Sequence, residues 1–278
     1  MTVKIITDSC CDIPLDLANE LNITIVPVHI HFGTKDYLDG IDIIPNEFFK
    51  MLASSESFPT TSQPSVGQFI EEFKNSDNPD GILSIHVSSK VSGTFNAAKQ
   101  ASDQSNLSGP INVMDSLQVS ITQGFAVMRA AAAAAEGKSL QEVSNIVQET
   151  CNRATMFGLI DTVEYLVKGG RLSKTAGLIG SLLNIKPIIV TRNGEVVQYA
   201  KTRSFTKSLR SIRSKLESNP DLEEIGIMYT TDPIIANEFA DSISGLLPNG
   251  KKPYISQLGS ALGAHMGPGG LGVGIITK

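Results

Sequence analysis

Three hydroxyl-rich stretches hold the side chains best suited to grip an anion. They are Thr60-Thr61-Ser62-Gln63-Pro64-Ser65, Ser88-Ser89-Lys90-Val91-Ser92-Gly93-Thr94 and Asp8-Ser9-Cys10-Cys11-Asp12. Serine and threonine hydroxyls are neutral donors that orient a carboxylate or a phosphate without adding charge. Each stretch leads into a helical pattern, and the free N–H groups and positive dipole end of a helix's first turn favour an anion. Ser, Thr and Asp are also the preferred helix N-caps, so any one loop has a purely structural reading. Three loops at the same edge of one parallel sheet point to a ligand, because ligands of such sheets bind beyond the carboxyl ends of the strands.

The elements that must position these loops alternate in the first half. Val3–Thr7, Ile23–Phe32, Ile82–Val87 and Ile111–Met114 read as strands. Pro14–Leu21, Glu47–Ala53, Val66–Phe73, Thr94–Asp103, Gln118–Glu136 and Leu140–Cys151 read as helices. Strands separated by helices imply parallel pairing through right-handed crossovers. The alanines at 130–135 sit within the long helix pattern, where a thin helix packs closely on its neighbours.

The second half has a different texture. Met156–Ile160, Ile225–Tyr229, Tyr254–Leu258 and Val273–Thr277 read as strands, and Phe205–Glu217 and Pro233–Ser244 as helices. Short helices are expected around Thr162–Val167 and Ser173–Leu182. Pro187–Thr191 and Glu195–Thr202 flank Arg192-Asn193-Gly194, and Asn-Gly is a strong hairpin signal. The expected fold is α/β in two domains. Residues 1–153 form a mainly parallel sheet flanked by helices, and residues 154–278 a mixed sheet with helices.

Composition narrows the function classes. The 278 residues are 41% hydrophobic and 18% charged, which fits a globular chain with a sizeable core. A net charge of −5 provides no basic surplus for neutralising phosphates, so nonspecific nucleic-acid binding is not expected. The three cysteines, Cys10, Cys11 and Cys151, have no metal-ligand spacing, and adjacent cysteines rarely bridge each other. The apolar stretch at the N-terminus is too short for a signal-peptide core, and no run approaches a membrane span. The expected location is the cytoplasm.

Other motifs carry less. Gly267-Pro268-Gly269-Gly270-Leu271-Gly272 matches G-x-G-x-x-G without the following helix and acidic residue of a dinucleotide site. His29 and His31 share a strand face with no third metal ligand in view. A Ser/His/Asp triad is recognised by geometry, not chain order, but no G-x-S-x-G elbow occurs.

Five motifs in order resemble the DegV family. They are Thr7-Asp8-Ser9-x-x-Asp12, Thr61-Ser62-Gln63-Pro64-Ser65, Ser88-Ser89-x-x-Ser92-Gly93-Thr94, Glu164-Tyr165-Leu166-x-x-Gly169-Gly170-Arg171 and His265-x-Gly267-Pro268-Gly269. The family includes the fatty-acid-binding B subunit of bacterial fatty acid kinase. The resemblance implies one long-chain fatty acid held between the two domains, with Thr61 and Ser92 on its carboxyl group and Ser62, Gly93 and His265 also at the binding site. It places Arg171 and Arg203, with His265, near the mouth, facing an ATP-using kinase subunit that makes the acyl phosphate. It implies a non-catalytic subunit with no cofactor beyond its lipid, no nucleic-acid partner, and at most transient membrane contact for lipid exchange. Cys10-Cys11 departs from the family's more usual threonine and alanine, at positions expected to lie away from the ligand. Segments expected to line the tail tunnel are Phe157–Ile160, Leu178–Ile188 and Phe95–Ala98. A phosphoryl-transfer enzyme whose Ser/Thr loops hold phosphate, and a stand-alone lipid sensor, are the rival readings.

Overall fold

The computed structural model describes residues 2–55, 57–171 and 185–278. Four strands of the first half, β1 (Lys4–Asp8), β2 (Ile23–Val26), β6 (Ile82–His86) and β7 (Ile111–Asp115), form a wholly parallel sheet in the order β2-β1-β6-β7. Helices α1 (Leu15–Glu20), α3 (Val66–Asn75), α4 (Thr94–Gln104), α5 (Ile121–Ala135) and α6 (Leu140–Asn152) make or flank the crossovers.

The stretch expected as a single strand, Ile23–Phe32, is two. Pro27 has no N–H to continue a ladder, and Val28 donates instead to Ser9 Oγ at 3.1 Å. Beyond the break, β3 (His29–Phe32) joins a separate antiparallel sheet in the order β4-β3-β5, with β4 at Lys35–Leu38 and β5 at Thr60–Ser62. Helix α2 (Pro45–Ser54) follows β4. The Thr60–Ser65 stretch therefore does not follow a strand of the parallel sheet; its first residues are a strand of the small antiparallel one.

The second half builds a six-stranded mixed sheet in the order β10-β9-β8-β13-β11-β12. Its strands are β8 (Ala154–Leu159), β9 (Lys186–Arg192), β10 (Glu195–Thr202), β11 (Leu222–Tyr229), β12 (Tyr254–Gln257) and β13 (Leu271–Thr277). Only β11 and β12 pair in parallel among these neighbours. Helices α7 (Glu164–Lys168), α8 (Phe205–Glu217), α9 (Pro233–Ser242) and α10 (Ser260–Met266) complete the described residues. The helix expected at Ser173–Leu182 lies outside them. Helix α10 is not expected from the sequence; its Gly, Ala and Ser residues give little helical signal, yet Ala261, Gly263, Ala264 and Met266 are buried on it.

Helix α5 sits between the two larger sheets, touching β1 and β6 on one side and β8, β11 and β13 on the other. Its alanines explain the approach: Ala126, Ala130, Ala131, Ala133 and Ala134 are all buried. The same seam is tied by Arg129, which donates to Glu223 at 2.9 Å and Glu224 at 2.7 Å. The Asn193-Gly194 turn docks across it too, with Ser88 Oγ donating to the Gly194 carbonyl at 2.7 Å. Among the described residues no helix is long and apolar enough to cross a membrane.

Candidate lipid-binding site

The loops divide their labour between capping and cavity. Ser65 caps α3 in a reciprocal box with Gln68, which leaves Thr61 and Ser62 free for other work. Gly93 stands at the N-cap of α4 with no side-chain cap, and Ser92 Oγ pairs with Thr94 Oγ1 at 2.8 Å. Asp8 accepts from the Cys10 N–H at 3.1 Å, so the first loop is locked into its own turn.

A narrow cavity of about 110 Å³ runs between the two halves of the chain. One water needs about 10–15 Å³, so this is much more than a packing defect. Thr61, Ser62, Gln63, Val87 and Ser92 line it from the first half, and Met156, Ile189, Leu262, His265 and Met266 from the second. Arg171 reaches the same space. Most of the wall is apolar, and two of its polar members are bonded to each other. Thr61 Oγ1 and His265 Nε2 are hydrogen-bonded at 2.8 Å. Arg171 donates to the Gly169 carbonyl at 2.6 Å and to the Val91 carbonyl, beside Ser92, at 3.2 Å. A Cβ on Gly93 would lie 3.0 Å from the Gln63 side chain, so this glycine lets the two hydroxyl loops close on each other.

Electrostatically the site is an imidazole without charge beside a guanidinium. Burial, helped by the Arg171 cation, lowers His265 to about 4, so the ring is neutral at physiological pH. Its Nδ1 is buried with no hydrogen-bond partner among the described residues. A Cβ on Gly169 would sit 2.3 Å from that atom, so only glycine fits there. The Gly169-Gly170-Arg171 motif and the His265 motif are thus one interlocked unit. Arg171 is the cation of the cavity wall, and a fixed positive charge in a partly dry space favours a bound anion.

Of the expected residues, Thr61, Ser62, Ser92, Arg171 and His265 come together on the cavity. Gly93 stands behind Gln63, supporting the wall. Arg203 is exposed and is not part of the lining. His265, read from sequence alone as a turn residue, is on α10. Cys10 corrects the expectation that its position lies away from the ligand: it lines the cavity, and burial raises its thiol well above the ordinary value, so it presents a neutral S–H. Of the expected tunnel segments, Gly158 contributes, whereas Phe157 packs into the core on the outer side of the sheet. Phe95–Ala98 lies off the lining, residues 178–184 are outside the described ones, and Ile188 is in the core while its neighbour Ile189 faces the cavity. Gln63 lies within a quoted motif without being singled out there, and Val119, Leu258 and Leu262 carry no signal in the sequence.

Two alternatives find no footing here. His29 bonds Asp36 at 2.8 Å and Gln68 at 3.2 Å, and His31 bonds Ser62 at 2.9 Å. Among the described residues no group of three His, Cys, Asp or Glu side chains is placed to hold a metal. A hydroxyl–imidazole–carboxylate chain does exist: Ser84 Oγ lies 2.7 Å from His86 Nε2, and His86 Nδ1 lies 2.9 Å from Asp8 Oδ2. All three side chains are fully buried, so no substrate reaches Ser84 in this structure. The Gly267–Gly272 run ends α10 and enters β13, not a helix.

Comparison with known proteins agrees with this geometry. A DegV domain-containing protein of Caldanaerobacter subterraneus subsp. tengcongensis is 35% identical over 277 residues, 98% of this chain and 97% of that one. DegV from Bacillus subtilis, a fatty acid binding protein, superposes with a TM-score of 0.91 at 26% identity, over 100% of both chains. A DegV family protein from Thermus thermophilus, solved for its fatty acid binding, gives a TM-score of 0.88 at 27% identity, again over 100% of both. The family model described as "Uncharacterised protein, DegV family" matches residues 2–278, and this chain belongs to that family.

Proposed function

We propose that this protein binds one long-chain fatty acid in the cavity between residues 1–153 and residues 154–278, and presents its carboxyl group to a kinase subunit in the cytoplasm. The observation that carries the reading is a mostly apolar cavity whose polar groups Thr61, Ser92, His265 and Arg171 include a single kind of charge, positive. The family and the fatty-acid binding of two relatives with the same fold support it.

The physical division of labour follows from magnitudes. Burying about 14 methylenes at roughly 0.8 kcal/mol each gives about 11 kcal/mol before ordering costs. A hydroxyl hydrogen bond adds about 1 kcal/mol. The tail supplies affinity; Thr61 and Ser92, with Ser62 beside them, set direction. With His265 neutral, the Arg171 guanidinium is the group that opposes dehydration of the carboxyl and keeps it ionised. An ionised carboxylate needs no base here: its oxygen attacks the γ-phosphorus of ATP held by the partner, ADP leaves, and an acyl phosphate results.

Arg203 suits the partner surface better than the cavity. It belongs to a run of exposed cations, Lys201, Arg203, Lys207, Arg210, Arg213 and Lys215, with no acidic residue among positions 201–216. In a chain of net charge −5 this strip on and before α8 fits an acidic protein surface. Native mass spectrometry of the purified protein tests the ligand. A co-purified long-chain fatty acid is expected, and an empty protein that also fails to take up palmitate would overturn the reading. Association with a kinase subunit, weakened by Arg203→Ala while lipid stays bound, tests the partner.

A further inference from the structure

Two buried acids, Asp12 and Asp39, lie off the lining of that cavity. Asp12 and Asp39 are only 7% and 5% exposed, yet both line a second groove together with Ser9, Leu15, Ile44 and Gly259. That groove, about 330 Å³, has ample room for water. Both acids come from the first half of the chain, and both grip the start of α10 in the second. Asp12 accepts the Gly259 N–H at 2.9 Å through Oδ1 and the Ser120 hydroxyl at 2.5 Å through Oδ2. Asp39 accepts the Ser260 N–H at 3.2 Å.

The helix they hold is a wall of the lipid cavity. Leu258, Ala261, Leu262, His265 and Met266 all face that space. Ser120 faces it too, and its backbone sits at φ 59° and ψ −145°, a region that a residue with a Cβ adopts only when its surroundings force it. One chain of contacts thus runs from the solvent groove through Asp12 to Ser120 and α10.

The surroundings of the pair are acidic. Asp8 and Asp39 both repel charge on Asp12. Cys10 and Cys11, Asp16 on the groove rim, and Tyr254 complete the titratable groups facing it, with His86 behind Asp8 and bonded to it. Burial raises Asp12 to about 7 against the hydrogen bonds from Ser120 and Gly259. Burial likewise raises Asp39 to about 6, against hydrogen bonds from Ser9, Ala261 and Ser260.

We propose that Asp12 and Asp39 form a proton-operated latch on α10. While the pair keeps a proton, the helix stays docked and the cavity closed. When that proton leaves through the groove to water, the buried carboxylates carry uncompensated charge and repel, the start of α10 loosens, and the cavity wall opens for ligand exchange. The direction follows from linkage: an acid whose pKa is raised in the docked state binds more protons docked than released. Docking is therefore favoured at low pH and weakens as pH rises toward 6–7, by up to about tenfold per pH unit for each proton lost. Only the consequence for ligand exchange rests on the lipid reading.

Hydrogen exchange of the segment 259–266 tests the latch at about pH 5.5 and 7.5, corrected for intrinsic amide rates. The same samples are followed for release of a fluorescent long-chain fatty acid. In the wild type, opening should rise about tenfold or more across this interval. In the double variant Asp12→Asn, Asp39→Asn it should be flat. A flat wild type, or a double variant that keeps the dependence, would overturn the latch. Should the variant not fold, carboxyl NMR of the wild type decides: Asp12 and Asp39 must titrate together with the α10 amides, and titration that leaves those amides unmoved refutes it. Failure to bind the lipid probe while exchange keeps its pH dependence would count against the lipid reading and leave the latch standing.

Discussion

Two of the hydroxyl–imidazole pairs in the molecule invite comparison, Ser84–His86 at 2.7 Å and Thr61–His265 at 2.8 Å. The first even has its carboxylate, Asp8, in line. It lies sealed within the parallel sheet, where Asp8 also accepts the Val87 N–H at 2.9 Å. The second stands on a cavity wall with Arg171 nearby and no carboxylate bonded to the ring among the described residues. The difference teaches that access and net charge, not the sequence of polar atoms, separate a structural network from a site. The buried triad satisfies its own acid with hydrogen bonds from within the core; the cavity leaves the Arg171 charge for a ligand to answer.

The comparison breaks most visibly at His86. His86→Ala leaves Asp8 buried without its partner and should cost about 3–5 kcal/mol of folding stability, read by chemical denaturation. If stability fell by less than about 1 kcal/mol, the network would not be the structural element described here. At the cavity, Gly169→Ala forces a Cβ into the space next to His265 Nδ1 and must displace the ring. The Thr61 contact should then break in a crystal structure, and ligand retention should fall by about tenfold, equivalent to one charge-assisted or two ordinary hydrogen bonds. Unchanged retention with the ring in place would show that the motif is not interlocked.

The imidazole at the cavity also has a pH signature. His265 is lowered to about 4 from 6.5 in the folded chain. Below pH 6.5 the unfolded state therefore binds a proton that the folded state refuses. Its contribution to stability is present above about 6.5 and is lost as pH falls toward 4, by at most about 1.4 kcal/mol per unit. His265→Gln should flatten that part of the stability profile, and a profile identical to wild type would contradict the burial of a neutral ring. The smallest effects belong to the hydroxyls. Thr61→Ala or Ser92→Ala should cost about 1 kcal/mol in retention, several-fold, while acyl-phosphate formation suffers more because the head group loses its direction. A hundredfold loss of retention from either one would mean that the tail does not dominate affinity.

How far the sequence revealed this molecule depended on how local the cause was. Helix α8 was legible residue for residue, because its apolar face repeats with helical period and Ser204 caps it. The hairpin at Asn193-Gly194 was equally plain, since two residues settle it. The break at Pro27 could have been read from the missing N–H but was hidden inside a continuous apolar run. Strand β5 was not legible: Thr60–Ser62 gains its strand geometry from pairing with β3, a distant partner. Helix α10 was missed because its short glycine- and alanine-rich sequence is stabilised by Asp12 and Asp39 from the other half. The site residues came mainly from the family resemblance; of these Thr61, Ser92, Arg171 and His265 line one cavity, and Arg203 does not. Cys10 reached that cavity through the turn of β1 into its loop, a placement that spacing alone does not supply.

A crystal structure of the protein saturated with palmitate tests the central claim most directly. The carboxyl oxygens should lie within about 3 Å of Thr61 Oγ1 and Ser92 Oγ, with the tail running between Ile189, Leu262 and Met266. A cavity left without lipid at saturating palmitate, or a lipid bound with its carboxyl group away from both hydroxyls, would contradict it.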